Sequence, residues 1–209
     1  NSRPSIVPLG LNNTLQNNDG IIILQGMYKE RILTRRLKRL ADTFPAVVVA
    51  GARQVGKSTL LRHLYADRAD IVVFDPVVDV ENARQDPDLF LDNHRTPLVL
   101  DEIQHAPELV ASIKRRIDRD RRPGQYLMSG SQQWSVLASM AESLAGRAVF
   151  LDLEGFCLAE IRGSAHSWLA AWLDDPQAFL KAPPPRLPTD RTLYEQLWHG
   201  WLPEADALE

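Results

Sequence analysis

Hydrophobic and polar positions follow two rhythms along this chain. Between Arg31 and Ala41, Leu33, Leu37 and Leu40 fall on one side of a helix and Arg35, Arg36, Lys38 and Arg39 on the other. The rhythm then changes. Ala46-Val47-Val48-Val49-Ala50 is unbroken and β-branched at its centre, the pattern of a strand covered on both faces. Leu60, Leu61, Leu64 and Tyr65 return to helical spacing. Further apolar runs extend from Ile71 to Phe74, ending at Asp75, and from Leu98 to Leu100, ending at Asp101-Glu102, and Gln125 to Met128 reads as another buried strand, ending at Ser129-Gly130-Ser131. A helix is predicted between Pro107 and Pro123, and a last core strand at Ala148 to Leu151. Strand and helix in alternation predict an α/β fold, a central parallel sheet flanked by helices in three layers. The strand before Gly51 is expected beside the one that ends in Ser131.

Beyond the last strand the pattern thins. Trp168, Leu169, Trp172 and Leu173 predict an amphipathic helix whose aromatic stripe packs, stopped by Asp174-Asp175-Pro176. Pro183-Pro184-Pro185 and Pro188 read as a stiff linker to a segment carrying Trp198 and Trp201.

The turn after the first apolar run holds the most specific chemistry. Gly51, Ala52, Arg53, Gln54, Val55, Gly56, Lys57, Ser58 and Thr59 match the pattern G-x-x-x-x-G-K-[ST] in full, with a strand before and a helix after. A triphosphate needs converging backbone N–H donors, a helix N-terminus behind them and a cation for the outermost phosphate. Gly51 and Gly56 permit the curled backbone, Lys57 reaches the β- and γ-phosphates, and Ser58 offers a hydroxyl to Mg²⁺.

The second acidic element narrows the chemistry. Asp101 ends a doubly buried strand and suits a hard divalent ion. Glu102, one residue on, is expected to point away from Asp101 and to polarise an attacking water, which favours hydrolysis over small-molecule phosphotransfer. Ser129 or Ser131 can orient that water, and the sequence does not choose between them. Arg147, after Gly146 and ahead of the last strand, is either an arginine finger reaching a neighbouring subunit's γ-phosphate or a surface ion-pair residue.

The segments GARQVGKSTLL, LVLDEIQHAPEL, the strand ending SGS and ESLAGR resemble, in order and spacing, the prokaryotic AAA-type ATPases that carry a C-terminal domain of unknown function. The resemblance runs from about residue 29 to residue 162, with counterparts for Arg53, Gln104 and the Gly146-Arg147 step. It implies a three-layer P-loop NTPase fold of AAA type and ATP as nucleotide. It also implies Lys57 and Ser58 as phosphate and Mg²⁺ contacts, Asp101 and Glu102 as the acidic pair, Ser131 or Ser129 as sensor and Arg147 as candidate finger. The expected activity is Mg²⁺-dependent ATP hydrolysis coupled to conformational change or assembly, in a homo-oligomer if Arg147 acts in trans. The alternative is a nucleotide-dependent binding switch or DNA-associated regulator with incidental turnover.

The expected organisation is a leader or poorly ordered extension over residues 1–26, the AAA-type core over 27–162, and a helical, proline-rich linker with the start of a truncated C-terminal domain over 163–209. Composition agrees with one globular domain plus extensions: 209 residues, 44% hydrophobic and 24% charged. The formal charge of −3 argues against a protein that coats nucleic acid. Lys114, Arg115, Arg116, Arg119, Arg121 and Arg122 nevertheless form a local cationic run, suited to DNA, to an acidic neighbour or to solvent. Cys157 stands alone and the five histidines lack ligand spacing, so neither a disulfide framework nor a thiolate metal site is expected. With no membrane-length apolar run and no signal-peptide pattern, the expected location is the cytoplasm.

Overall fold

A computed structural model describes residues 14–16, 22–24, 28–74, 80–131, 134–163, 168–182, 192–203 and 205. Asp75 and the linker prolines Pro183, Pro184, Pro185 and Pro188 lie outside the described residues, as does most of the stretch 1–26. Within that stretch β1 (Thr14–Gln16) and β2 (Ile22–Leu24) pair antiparallel.

Helix α1 (Leu33–Ala41) leads into β3 (Ala46–Gly51), and α2 (Lys57–Tyr65) follows the loop between them. Then come β4 (Asp70–Val73), α3 (Val80–Gln85), α4 (Pro87–Asp92) and β5 (Leu98–Asp101). A 3₁₀ turn (Ile103–His105) precedes α5 (Leu109–Arg119), β6 (Tyr126–Ser131), α6 (Trp134–Ser143) and β7 (Ala148–Asp152). The described chain closes with α7 (Leu158–Ile161), α8 (Trp168–Asp174), α9 (Pro176–Lys181) and α10 (Leu193–His199).

The five core strands form an all-parallel sheet in the order β4-β5-β6-β3-β7. As expected, β3 lies beside β6, with Gly51 opposite Ser131 in the register. The unbroken apolar runs have a direct cause in this layout, because successive side chains leave a strand on opposite faces and both faces are covered. Val48, Leu100 and Met128 pack on one face against Ile113 and Ile117 of α5 and Met140 of α6. Val47, Val49, Val99 and Leu127 pack on the other against Leu37 of α1 and Leu60 and Leu61 of α2. The chemistry-bearing residues Gly51, Asp101 and Ser131 are the last residues of β3, β5 and β6, so the parallel sheet brings them to one edge.

The structure adds two helices and changes two expectations. Between β4 and β5 the chain forms α3 and α4, the latter started by Asp86, whose carboxylate accepts from the Leu89 N–H at 2.9 Å, with Pro87 next in line. The stripe expected to pack on α8 is exposed at Leu169, Trp172 and Leu173. The cations of α5 and the turn after it are largely engaged within the fold. Arg115 pairs with Asp88, Arg116 with Asp88 and Asp92, Arg122 with Asp120, and Arg121 donates to the Gly146 carbonyl.

Candidate nucleotide site

The site is built on the loop between β3 and α2. At Gly51, with φ +153°, a β-carbon would lie 2.2 Å from the Leu153 carbonyl oxygen, so the close passage of the chain after β7 demands glycine. Leu153 in turn donates to the Ala50 carbonyl at 2.8 Å and locks this approach. Gly56 starts α2 with φ +94°, and Gln54 also occupies the left-handed region, at φ 65°. Val55 is buried and anchors the loop to the core, while Ala52, Arg53, Gln54 and Thr59 are exposed.

Lys57 is 4% exposed, and its Nζ donates to the Gly51 and Ala52 carbonyls at 3.1 and 2.6 Å. Burial pushes its pKa below the usual lysine range, while Glu102 and Asp101 act in the opposite direction. Ser58 Oγ donates to Asp101 Oδ1 at 3.0 Å, which places two hard oxygen donors side by side at the start of α2. This donor set fits Mg²⁺, which prefers oxygen ligands and few protein groups. Among the described residues no cluster of His, Cys, Asp and Glu forms a separate metal site.

The two serines of β6 attend different carboxylates. Ser129 Oγ donates to Asp101 Oδ1 and accepts from the Glu102 N–H at 3.1 Å. Ser131 Oγ donates to Glu102 Oε2 at 3.2 Å. Gln104 Nε2 donates to the same Glu102 oxygen and to Ser131 Oγ at 3.0 Å. Glu102 has left the strand: its φ and ψ of 58° and 46° are left-handed, so a backbone turn rather than strand pleat separates its carboxylate from that of Asp101.

Arg147 is far from this cluster. It precedes β7, and its carbonyl accepts from Ala46 N–H at the start of β3, whereas the loop leaves from the end of β3. Its guanidinium holds Asp118 through Nε at 2.5 Å and Nη2 at 2.9 Å. Within one chain, therefore, Lys57, Ser58, Asp101, Glu102, Ser129 and Ser131 converge and Arg147 does not.

Sequence reasoning passed over Arg31 as a site residue. Its Nη1 donates to the Val55 carbonyl at 2.8 Å and its Nη2 to the carbonyls of Glu154 and Gly155 at 2.6 and 3.2 Å. The guanidinium also lies 4.7 Å from the Phe156 ring centroid. Nothing in a single arginine ahead of a basic helix signals this, since every partner is remote in sequence. The C-terminal segment reaches the same place: Phe156 N–H donates to the Trp201 carbonyl at 2.7 Å, and Pro203 lies 3.7 Å from where a Gly56 β-carbon would sit.

Residues 43–162 match the protein family described as AAA domain, a match that takes in the loop, both acidic residues, both serines and Arg147. The chain belongs to the AAA-domain family. As an AAA-type P-loop protein it has a nucleotide-binding, ATPase-like core. The chain is 32% identical over 148 residues to "Uncharacterized protein Rv2008c" of Mycobacterium tuberculosis and, to the same extent, to "Uncharacterized protein Mb2031c" of Mycobacterium bovis. The match takes in 70% of this chain but 33% of each relative, so the chain spans about a third of their length. Among solved structures it is similar to the P-loop NTPase domain of a sigma-54 transport activator from E. coli, at 20% identity and TM-score 0.39 over 56% of this chain and 89% of that one. It is also similar to a Walker-type ATPase of Pyrococcus abyssi, at 16% identity and TM-score 0.45 over 73% and 58%. The RuvB Holliday junction branch migration motor of Thermotoga maritima matches at 21% identity and TM-score 0.44 over 70% and 52%. No helix among the described residues is long and apolar enough to cross a membrane.

Proposed function

We propose that this AAA domain binds ATP with Mg²⁺ and hydrolyses the γ-phosphate bond, coupling turnover to a conformational or assembly change. The observation that carries this reading is the division of the acidic pair. Asp101 is bound to Ser58 and Ser129, and Glu102 to Ser131 and Gln104, so adjacent carboxylates are held for different tasks.

Ser58 and Asp101 would hold Mg²⁺, which neutralises charge on the phosphate oxygens. Lys57, held in the loop by carbonyls that a phosphate can replace, turns its ammonium to the β- and γ-phosphates. Glu102 keeps one carboxylate oxygen on Ser131 and Gln104 and uses the other to accept a hydrogen bond from the attacking water. Polarised in this way, the water attacks phosphorus in line with the departing ADP oxygen. Ser131, opposite Gly51 in the sheet and bonded to Glu102, would act as the sensor, and Ser129 would orient Asp101.

Arg147 serves a neighbouring copy. Its place at the opposite end of the sheet from its own loop, ahead of edge strand β7, supports action in trans. In that assembly its fork would exchange Asp118 for phosphate oxygens of similar bidentate geometry. ATP turnover of the wild type, Lys57→Ala and Glu102→Gln tests the reading. Lys57→Ala is expected to lose ATP binding. Glu102→Gln is expected to keep it and lose turnover by about a hundredfold or more. Turnover unchanged in Glu102→Gln would remove the glutamate from the mechanism.

A further inference from the structure

Gln104 stands behind Glu102 rather than in front of the phosphate loop. It is 9% exposed, in the 3₁₀ turn that follows the acidic pair, and its amide is wedged between that pair and β6. Nε2 donates both to Glu102 Oε2 and to Ser131 Oγ, and Ser131 Oγ donates to the same carboxylate oxygen, closing a three-membered ring of side chains. Oε1 is buried without a hydrogen-bond partner, and a β-carbon on Gly130 would lie 3.4 Å from it. The amide thus lies over the one residue of Ser129-Gly130-Ser131 that has no side chain to displace it. Its nitrogen must face the carboxylate, because the reversed amide would set oxygen against oxygen.

The arrangement has a chemical consequence. Glu102 sits in the left-handed region at a turn, and a carboxylate there has rotamer freedom unless something fixes it. Gln104 and Ser131 fix one oxygen, which leaves the other at a set position at the edge of the site. We infer that Gln104 is a positioning residue for hydrolysis, holding the Glu102 carboxylate through Oε2 so that its free oxygen meets the attacking water. This inference rests on the hydrolysis reading above. Gln104 touches neither nucleotide nor metal in this role; it acts through Glu102. Ser131 shares the task, and the absence of a side chain at position 130 leaves room for the Gln104 amide.

Steady-state turnover and ATP affinity of the intact chain test this with Gln104→Met, which has similar length and no donor. The expected result is a kcat lowered about tenfold or more, with KM and ATP affinity within about twofold of wild type. In a Glu102→Gln background the same substitution is expected to cost nothing further, because its effect runs through the missing carboxylate. A merely structural residue would instead lower ATP affinity and turnover together and would add its loss to that of Glu102→Gln; either result overturns the inference. Should Gln104→Met fail to fold, Gln104→Glu carries the same test, since an equally sized carboxylate repels Glu102 instead of holding it. Wild-type kcat in either folded variant, beside a wild type whose turnover depends on Glu102, overturns the positioning role alone. A wild type with no Glu102-dependent turnover overturns this inference and the hydrolysis reading together.

Discussion

Arg31 and Glu160 form an ion pair, Nε to Oε1 at 3.1 Å, with side chains only 5% and 6% exposed. Glu160 also accepts from the Ile32 and Cys157 N–H groups, so the pair ties the approach to α1 to the start of α7. Removing one partner strands a buried charge, which costs about 3–5 kcal/mol in comparable settings. Glu160→Ala and Arg31→Ala are each expected to lose stability of that order, read as a lowered urea midpoint. ATP affinity should fall with Arg31→Ala, because Val55 loses the guanidinium that holds its carbonyl. A midpoint that barely moves in both variants would refute the account of the pair.

Gly51→Ala places a methyl group 2.2 Å from the Leu153 carbonyl oxygen. That oxygen belongs to backbone fixed by the Leu153 to Ala50 hydrogen bond, so relief requires β3 and the chain after β7 to separate. A loss of about 3 kcal/mol, at the upper end for overpacking, is expected by denaturant unfolding, together with lost nucleotide binding. Normal stability with normal binding would show that the close approach does not constrain this position.

Lys57 makes stability depend on pH. Its folded pKa is lowered from the usual 10.5, chiefly by burial, so between the folded value and 10.5 the unfolded chain binds more protons. Stability therefore rises with pH through that window, and the cost of the buried charge is fully present below it. Lys57→Met, which removes the charge, is expected to be at least as stable as wild type near neutral pH, to lack the alkaline rise, and to lose ATP binding. Urea midpoints of both proteins from about pH 7 to about pH 10 read this, and a constant difference between them would contradict it.

Action of Arg147 in trans predicts complementation. Lys57→Ala retains Arg147 but has a crippled loop, and Arg147→Ala has the reverse. Mixed, they are expected to turn over ATP faster than the sum of the two alone. Wild-type turnover per protomer should also rise with protein concentration. Additive rates in the mixture and a flat concentration profile would leave Arg147 as the partner of Asp118 and nothing more.

The sheet and the loop were legible in the sequence because their signals are local. Val47 to Val49, Val99 to Leu100 and Leu127 to Met128 had to be apolar on both faces, and the glycines and Lys57 had to sit at fixed spacing. The convergence of Asp101, Glu102 and the serines was legible as well, given parallel strands that end at one edge. The separate duties of Ser129 and Ser131 were not, because they depend on the left-handed turn at Glu102, a conformation glutamate does not advertise. The exposure of Trp172 and Leu173 was misread because helical spacing reports that a stripe exists, not what covers it. Arg31 was invisible for a related reason: its partners Val55, Glu154 and Glu160 are 24 to about 130 positions away.

The Trp201 carbonyl, hydrogen-bonded to Phe156 N–H and packed against Gly155, links the segment around residue 201 to the phosphate loop through a short series of contacts. A load pulling on residue 201 would be borne first by that bond and by the packing against Gly155. From there it would pass through Phe156 and the carbonyl of Gly155 to Arg31, and from Arg31 to Val55 in the phosphate loop. Tension at residue 201 and the hold on a phosphate would then act on the same few atoms.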